Sequence, residues 1–195
     1  MRKKSHLSLA KYLLNSQGME KLQSHKKAFY LGSILPDCVP TFITRRHTIE
    51  DTFYILKNEI RKLTENYDFE RGIGSYYCRH MGVITHYIAD YFTFPHNSIY
   101  PGNMAEHCIY EKHLKYALYC YVKSEEAQKE RSKEPKFHTV NELCDFIIEM
   151  HDKYLRAIKQ IIVDCEYIVS LCYIVVDEIL AFFEQKMLIR KVIPA

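Results

Sequence analysis

Ten histidines are the residues of this chain best suited to do chemistry. On an α-helix, side chains four apart lie about 40° from each other and one turn apart in height, so a histidine and a carboxylate at that spacing can close on one metal ion. His86 with Asp90 and His107 with Glu111 have this spacing, as do His47 with Asp51 and His138 with Glu142. Chance alone supplies about one such pair in this composition, so the order along the chain carries more weight than any single pair. Asp37 follows Pro36 at the end of a helical pattern, His47 comes next, His86, Asp90 and His96 form H-x3-D-x5-H, and His107 and Glu111 form H-x3-E. Imidazole and carboxylate are the usual ligands of catalytic zinc and leave positions open for water and substrate. Zinc lowers the pKa of bound water to about 7, and ions a few Å apart can hold both the attacking oxygen and the phosphoryl oxygens of an in-line displacement. The set therefore predicts phosphoester hydrolysis, with Asp37 as ligand and candidate general base. His25, His80, His113, His138 and His151 read as ordinary residues, and Cys108, inside the H-x3-E turn, reads as a small buried hydrophobe.

These side chains need helices to position them. The pattern predicts an all-α chain of about seven helices in one domain over residues 1–195. Ser5 can cap a helix to about Asn15, closed by Gly18; a second runs from Met19 to Leu35, where Pro36-Asp37 ends it and Pro36 with Pro40 marks a rigid loop. A third covers about Thr48 to Asn66, and a fourth runs from Ser75 until Pro95 stops it. A fifth spans Met104 to Val122, and Lys123 to His138 reads as a solvated loop with partial helix. Thr139 opens a capping box with Glu142, and the helical pattern from there to Lys191 is expected to break near Val163-Asp164, with Asp164 capping the last helix. Tyr91, Phe92, Phe94 and Tyr100 around the H-x3-D-x5-H segment read as core.

At its ordered histidines and carboxylates the sequence resembles the zinc-dependent phospholipase C family, which includes bacterial phosphatidylcholine-hydrolysing enzymes and, more distantly, single-strand-specific zinc nucleases. Ser5-His6-Leu7-Ser8-Leu9-Ala10 is similar to the family's H-x-x-x-A/G start, and Leu31-Gly32-Ser33-Ile34-Leu35-Pro36-Asp37 to its L-G-x-x-x-P-D loop. The likeness covers about residues 5 to 114 in ordered blocks; residues 115 to 195 match only as helices. The resemblance implies an all-α fold around zinc, with Asp37, His47, His86 and Asp90 holding one ion and His96, His107 and Glu111 a second. A third would sit on His6 and a bridging Asp90, completed in secreted members by the amino terminus of the processed chain. This sequence departs from the pattern there, starting at Met1 with basic residues and no visible cleavage site, so two zinc ions are expected and the third is left open.

Composition narrows the alternatives. Lys plus Arg total 27 against 24 Asp plus Glu, a net of +3, so no stable nucleic-acid complex is expected. Seven cysteines without a C-x-x-C pair suggest neither a disulfide framework nor a cysteine zinc finger. The longest apolar run, Tyr167 to Val176, ends at Asp177-Glu178, too short to span a membrane, and with no signal peptide visible the expected location is cytoplasmic. The expected partner is a phospholipid or another phosphodiester substrate. Nuclease or nucleotidase chemistry on the same ligands is the competing enzymatic reading. A metal-binding protein without turnover is the non-enzymatic one, and His151-Asp152 offers the HD-type phosphohydrolase dipeptide as a further, weaker alternative.

Overall fold

The computed structural model describes residues 1–39, 46–129 and 136–192. These residues form helices and no strands, in agreement with the all-α expectation: α1 (Lys3–Leu14), α2 (Lys26–Ile34), α3 (Ile49–Leu63), α4 (Ser75–Tyr91), α5 (Met104–Tyr121), the short α6 (Glu126–Lys129), α7 (Val140–Arg156) and α8 (Ile161–Val192). Tight 3-10 turns occur at Glu20–His25, Leu35–Asp37, Phe69–Arg71 and Phe94–His96. Pro40 and part of the Lys123 to His138 stretch lie outside the described residues.

Local chemistry explains three of the helix starts, whereas Ser5, expected as a cap, lies inside α1, which begins at Lys3. The Thr48 hydroxyl accepts the Asp51 N–H ahead of α3, and the Asn103 carbonyl oxygen accepts from Ala105 and Glu106 ahead of α5, where Glu106 returns a bond to the Asn103 N–H. Thr139 accepts the Glu142 N–H as expected, while Glu142 accepts from the His138 N–H, one residue earlier than a reciprocal box would have it. Met19 and Leu22 are both fully buried, and their spacing of three fits a 3-10 turn, which is why the segment Met19 to Leu35 divides into a turn and α2 rather than one helix. The break expected at Val163-Asp164 comes earlier. Ala157 is extended at φ −71° and ψ 165°, and the Lys159 ammonium turns back onto the Tyr154 and Leu155 carbonyls, ending α7 at Arg156. Asp164 consequently lies inside the first turn of α8 and is not its cap.

Two features of the packing position the chemistry. The apolar run around Tyr167 to Val176 is a core helix: Ile168, Leu171, Cys172, Val175, Val176 and Ile179 of α8 are buried, and α8 packs on α4, α5 and α7. None of the described helices is long and apolar enough to cross a membrane. Second, α2 and α4 touch backbone to backbone. A Cβ at Gly32 would lie 1.9 Å from the Arg79 carbonyl oxygen, and one at Gly82 would lie 2.3 Å from that of Phe29. Only glycine permits this approach, and it sets the Ser33 carbonyl beside the buried His86 ring.

Candidate metal centre

The α4 face opposite solvent carries His86 and Asp90, both fully buried. Around them converge side chains from the preceding half of the chain. His6 arrives from α1, Asp37 from the turn that ends α2, and His47 from just before α3. His47 Nδ1 lies 2.8 Å from Asp90 Oδ2 and 3.1 Å from His86 Nε2, and His86 Nε2 lies 3.2 Å from the same Asp90 oxygen. Asp37 Oδ1 lies 3.8 Å from His86 Nε2 and 4.0 Å from His47 Nδ1, and His6 Nε2 lies 3.4 Å from Asp90 Oδ1.

A second set stands beside the first. His96 closes the Phe94–His96 turn, and His107 and Glu111 occupy consecutive turns of α5; His96 Nε2 and His107 Nε2 lie 3.3 Å and 3.2 Å from Glu111 Oε1. Asp90 joins the two sets, its Oδ2 lying 3.8 Å from His96 Nδ1. The Met1 α-amino nitrogen is buried between them, 2.6 Å from Asp90 Oδ1, 2.8 Å from His96 Nε2 and 3.1 Å from Glu111 Oε1. Arg2 holds that segment down by donating to the Cys108 carbonyl.

All the sequence-predicted ligands are thus brought together. Three groups among the described residues have ligand atoms mutually within 4.8 Å: His6, Asp37 and His86; His47, His86 and Asp90; and His96, His107 and Glu111. The last coincides with the second set that the resemblance implies, whereas His6 converges with Asp37 and His86 as well as with Asp90.

Atoms left without ordinary partners test whether these residues suit a metal. Both ring nitrogens of His6 are buried without a well-formed hydrogen bond, Nε2 having only Asp90 Oδ1 at 3.4 Å, which would be costly for a purely structural imidazole. Burial lowers its pKa to about 3, so the ring is neutral, as a ligand must be. The His86 Nδ1 lies 2.9 Å from the Ser33 carbonyl oxygen. A carbonyl only accepts, so Nδ1 carries the proton and Nε2 turns its lone pair toward Asp37, His47 and Asp90. Burial alone would raise the Asp90 carboxyl, but the Met1 ammonium and then His96 and His86 outweigh it and hold the group well below the ordinary range. The neutral His6 ring, the inward-facing Nε2 of His86 and the ionised Asp90, among further histidines and carboxylates, form a donor set that fits zinc.

The centre opens to solvent on one side. His47, His96 and His107 line a cleft of about 580 Å³ together with Arg46, Tyr100, Asn103 and Met104. Arg46 and Met104 are exposed there, and Asp37 is the part-exposed carboxylate of the first set.

Other predicted residues go elsewhere. Asp51 and Glu142 serve the starts of α3 and α7, and neither joins a ligand group. Cys108 is exposed, contrary to the expectation of a buried hydrophobe, because it faces away from the side of α5 that packs on the core. His151 is buried, with Nε2 2.7 Å from Asn97 Oδ1, while Asp152 is exposed, so the dipeptide does not form a paired site. Sequence reasoning did not find the Ser33 carbonyl, because a main-chain acceptor has no side-chain signature, although Ser33 lies inside the quoted Leu31 to Asp37 block. It also misassigned Asp164, which accepts hydrogen bonds at the core of the molecule.

With this geometry in view, comparison with known proteins gives one result. A family model described as zinc dependent phospholipase C matches residues 5–161. No curated protein and no solved structure gives a significant match.

Proposed function

The chain belongs to the zinc-dependent phospholipase C family, and from that premise we propose that it is a zinc-dependent hydrolase of phosphodiesters, with a phospholipid as the leading substrate class. Two histidine and carboxylate groups that share His86, with a third that meets them at Asp90 beside an open cleft, are the observation that carries this reading. Asp37, His47, His86 and Asp90 would hold one ion and His96, His107 and Glu111 a second. His6 and Asp90 offer a third position, to which the nearby α-amino nitrogen would add a donor on giving up its proton, in a chain whose first residue is Met1. Zinc bound there would acidify water and neutralise phosphoryl charge.

The protein's own groups do the rest. Ser33 holds the His86 ring in the tautomer that presents Nε2, and Asp90, buried beside it, orients His47 by accepting from Nδ1. Asp37, part-exposed beside His47 and His86, is placed to take the proton from the attacking water. Arg46, at the cleft margin, supplies a cation for a phosphate in a chain whose net charge is otherwise small.

Metal analysis of protein purified without chelator, followed by assays on phosphatidylcholine vesicles, single-stranded nucleic acid and an aryl phosphodiester, tests the proposal. At least two zinc ions per chain are expected, with chelator-sensitive turnover of the vesicles. Asp37→Asn should lower turnover by about 10²–10⁴-fold if it serves as the base. Protein that neither contains nor takes up zinc overturns the reading. Zinc-loaded protein that acts only on nucleic acid transfers the activity to the nuclease class, and zinc-loaded protein inert on all three supports a binding role.

A further inference from the structure

His96 sits on a three-residue turn, and His107 and Glu111 on the first turns of α5. Both pieces are tied to one carboxylate. Asp164, in the first turn of α8, is 1% exposed. Its Oδ2 accepts the Phe94 N–H at 3.0 Å and the Tyr110 hydroxyl at 3.0 Å, and its Oδ1 accepts the Tyr154 hydroxyl at 2.8 Å. A carboxylate buried this deeply is expensive, and an apolar residue of similar volume would fill the place with less desolvation.

Where the three bonds lead is informative. Phe94 opens the turn that His96 closes, and Tyr110 immediately precedes Glu111. Tyr154 anchors α7, whose His151 bonds Asn97, the residue after His96; the Asn97 amide in turn donates to the Tyr91 and Thr93 carbonyls at the end of α4. The His96 turn is therefore gripped on both sides by the last third of the chain, which carries none of the ligand side chains.

We propose that Asp164 is a positioning residue for the His96, His107 and Glu111 set, holding the His96 turn and the start of α5 at the separation that closes on one metal ion. This rests on the zinc reading above. Asp164 touches no ligand and acts through Phe94 and Tyr110.

The test is zinc binding by the full chain, measured with a competing chelator, with a visible spectrum after cobalt substitution and with circular dichroism as a check on folding. Asp164→Ala should weaken one site by about 10–100-fold, the range for losing a group that orients a ligand, and leave the other zinc and the helical signal unchanged. Asp164→Asn, which keeps one acceptor oxygen, should recover part of the loss. Combined with His107→Ala, Asp164→Ala should add nothing further at the sites that remain, because both changes act on the same ion. Unchanged affinity in Asp164→Ala, or equal weakening of every site, overturns the proposal. Should Asp164→Ala fail to fold, Tyr110→Phe decides: it removes one hydroxyl, should weaken the same site several-fold, and overturns the proposal if binding is unaltered. Wild-type protein that takes up no zinc overturns this and the zinc reading together, whereas normal wild-type uptake with unaffected variants overturns this inference alone.

Discussion

His86 and Asp90 are buried on a helix that meets its neighbour backbone to backbone, while His107 and Glu111, with the same four-residue spacing, are part-exposed, His107 lining an open cleft, on a helix whose first turns are exposed. The first pair is held by packing that admits only Gly32 and Gly82 at the contact, and by the Ser33 carbonyl. The second depends on hydrogen bonds that reach the loop and helix from outside, through Asp164, Asn97 and His151. The same ligand motif is thus made rigid by close-packed backbone in one place and by a polar network in the other. A buried, packed set has few alternative positions, whereas a cleft-facing set can admit substrate but needs its geometry supplied by other groups.

The comparison can be broken most severely at Asp90, which belongs to both sets. Asp90→Ala removes the carboxylate shared by His6, His47 and His86 and leaves the Met1 ammonium buried without it. A loss of about 3–5 kcal/mol is expected, together with loss of bound zinc and turnover; thermal unfolding and metal analysis check both. Next is Gly82→Ala, which forces α2 and α4 apart. It should cost about 1–3 kcal/mol, a Tm decrease of roughly 2–4 °C for each kcal/mol, and weaken the His86 and Asp90 ions before the one on His107. Chelator competition on the variant would show the reverse order if packing is not what holds the first set.

His107→Ala should have the complementary result. Its side chain is part-exposed, so stability without metal should change by only about 0.5 kcal/mol, while one zinc per chain and turnover are lost. A drop in the affinity of all ions would mean that the two sets are not separable. The smallest effect is expected at Glu59, a carboxylate outside the centre. Burial pushes its carboxyl up, and hydrogen bonds from His80 and Lys62 more than offset this, leaving it below the ordinary value of 4.5. A depressed carboxyl stabilises the fold above that value and loses the contribution as pH falls through the folded-state pKa. Glu59→Gln should therefore flatten the acid limb of the stability curve, change stability near neutral pH by no more than about 1 kcal/mol, and leave zinc binding untouched. Denaturant titrations between neutral and acid pH provide the check.

Much of this molecule is legible before any coordinate is known. The starts of α3 and α7 follow from Thr48 and Thr139, because capping acts within a few residues, whereas α4, expected to run until Pro95, ends at Tyr91 ahead of the turn that holds that proline. Less legible is anything that depends on distant partners. The second helical segment divides because Met19 and Leu22 both enter a core whose shape no local pattern states. Asp164 resembles a cap in sequence, since an aspartate before an apolar run ordinarily is one, and becomes a buried acceptor only because Phe94, Tyr110 and Tyr154 arrive from three other elements.

The sequence by itself determined the residue types and helical spacings that allow metal ligation, the all-α class and the family. Tertiary structure alone decided that His6, Asp37 and His86 converge, which nitrogen of His86 points inward, and that the last third of the chain supports a site to which it contributes no ligand side chain. The reason is range: helix periodicity and capping act over one or two turns, whereas a ligand sphere is closed by atoms whose separation along the chain says nothing about their separation in space.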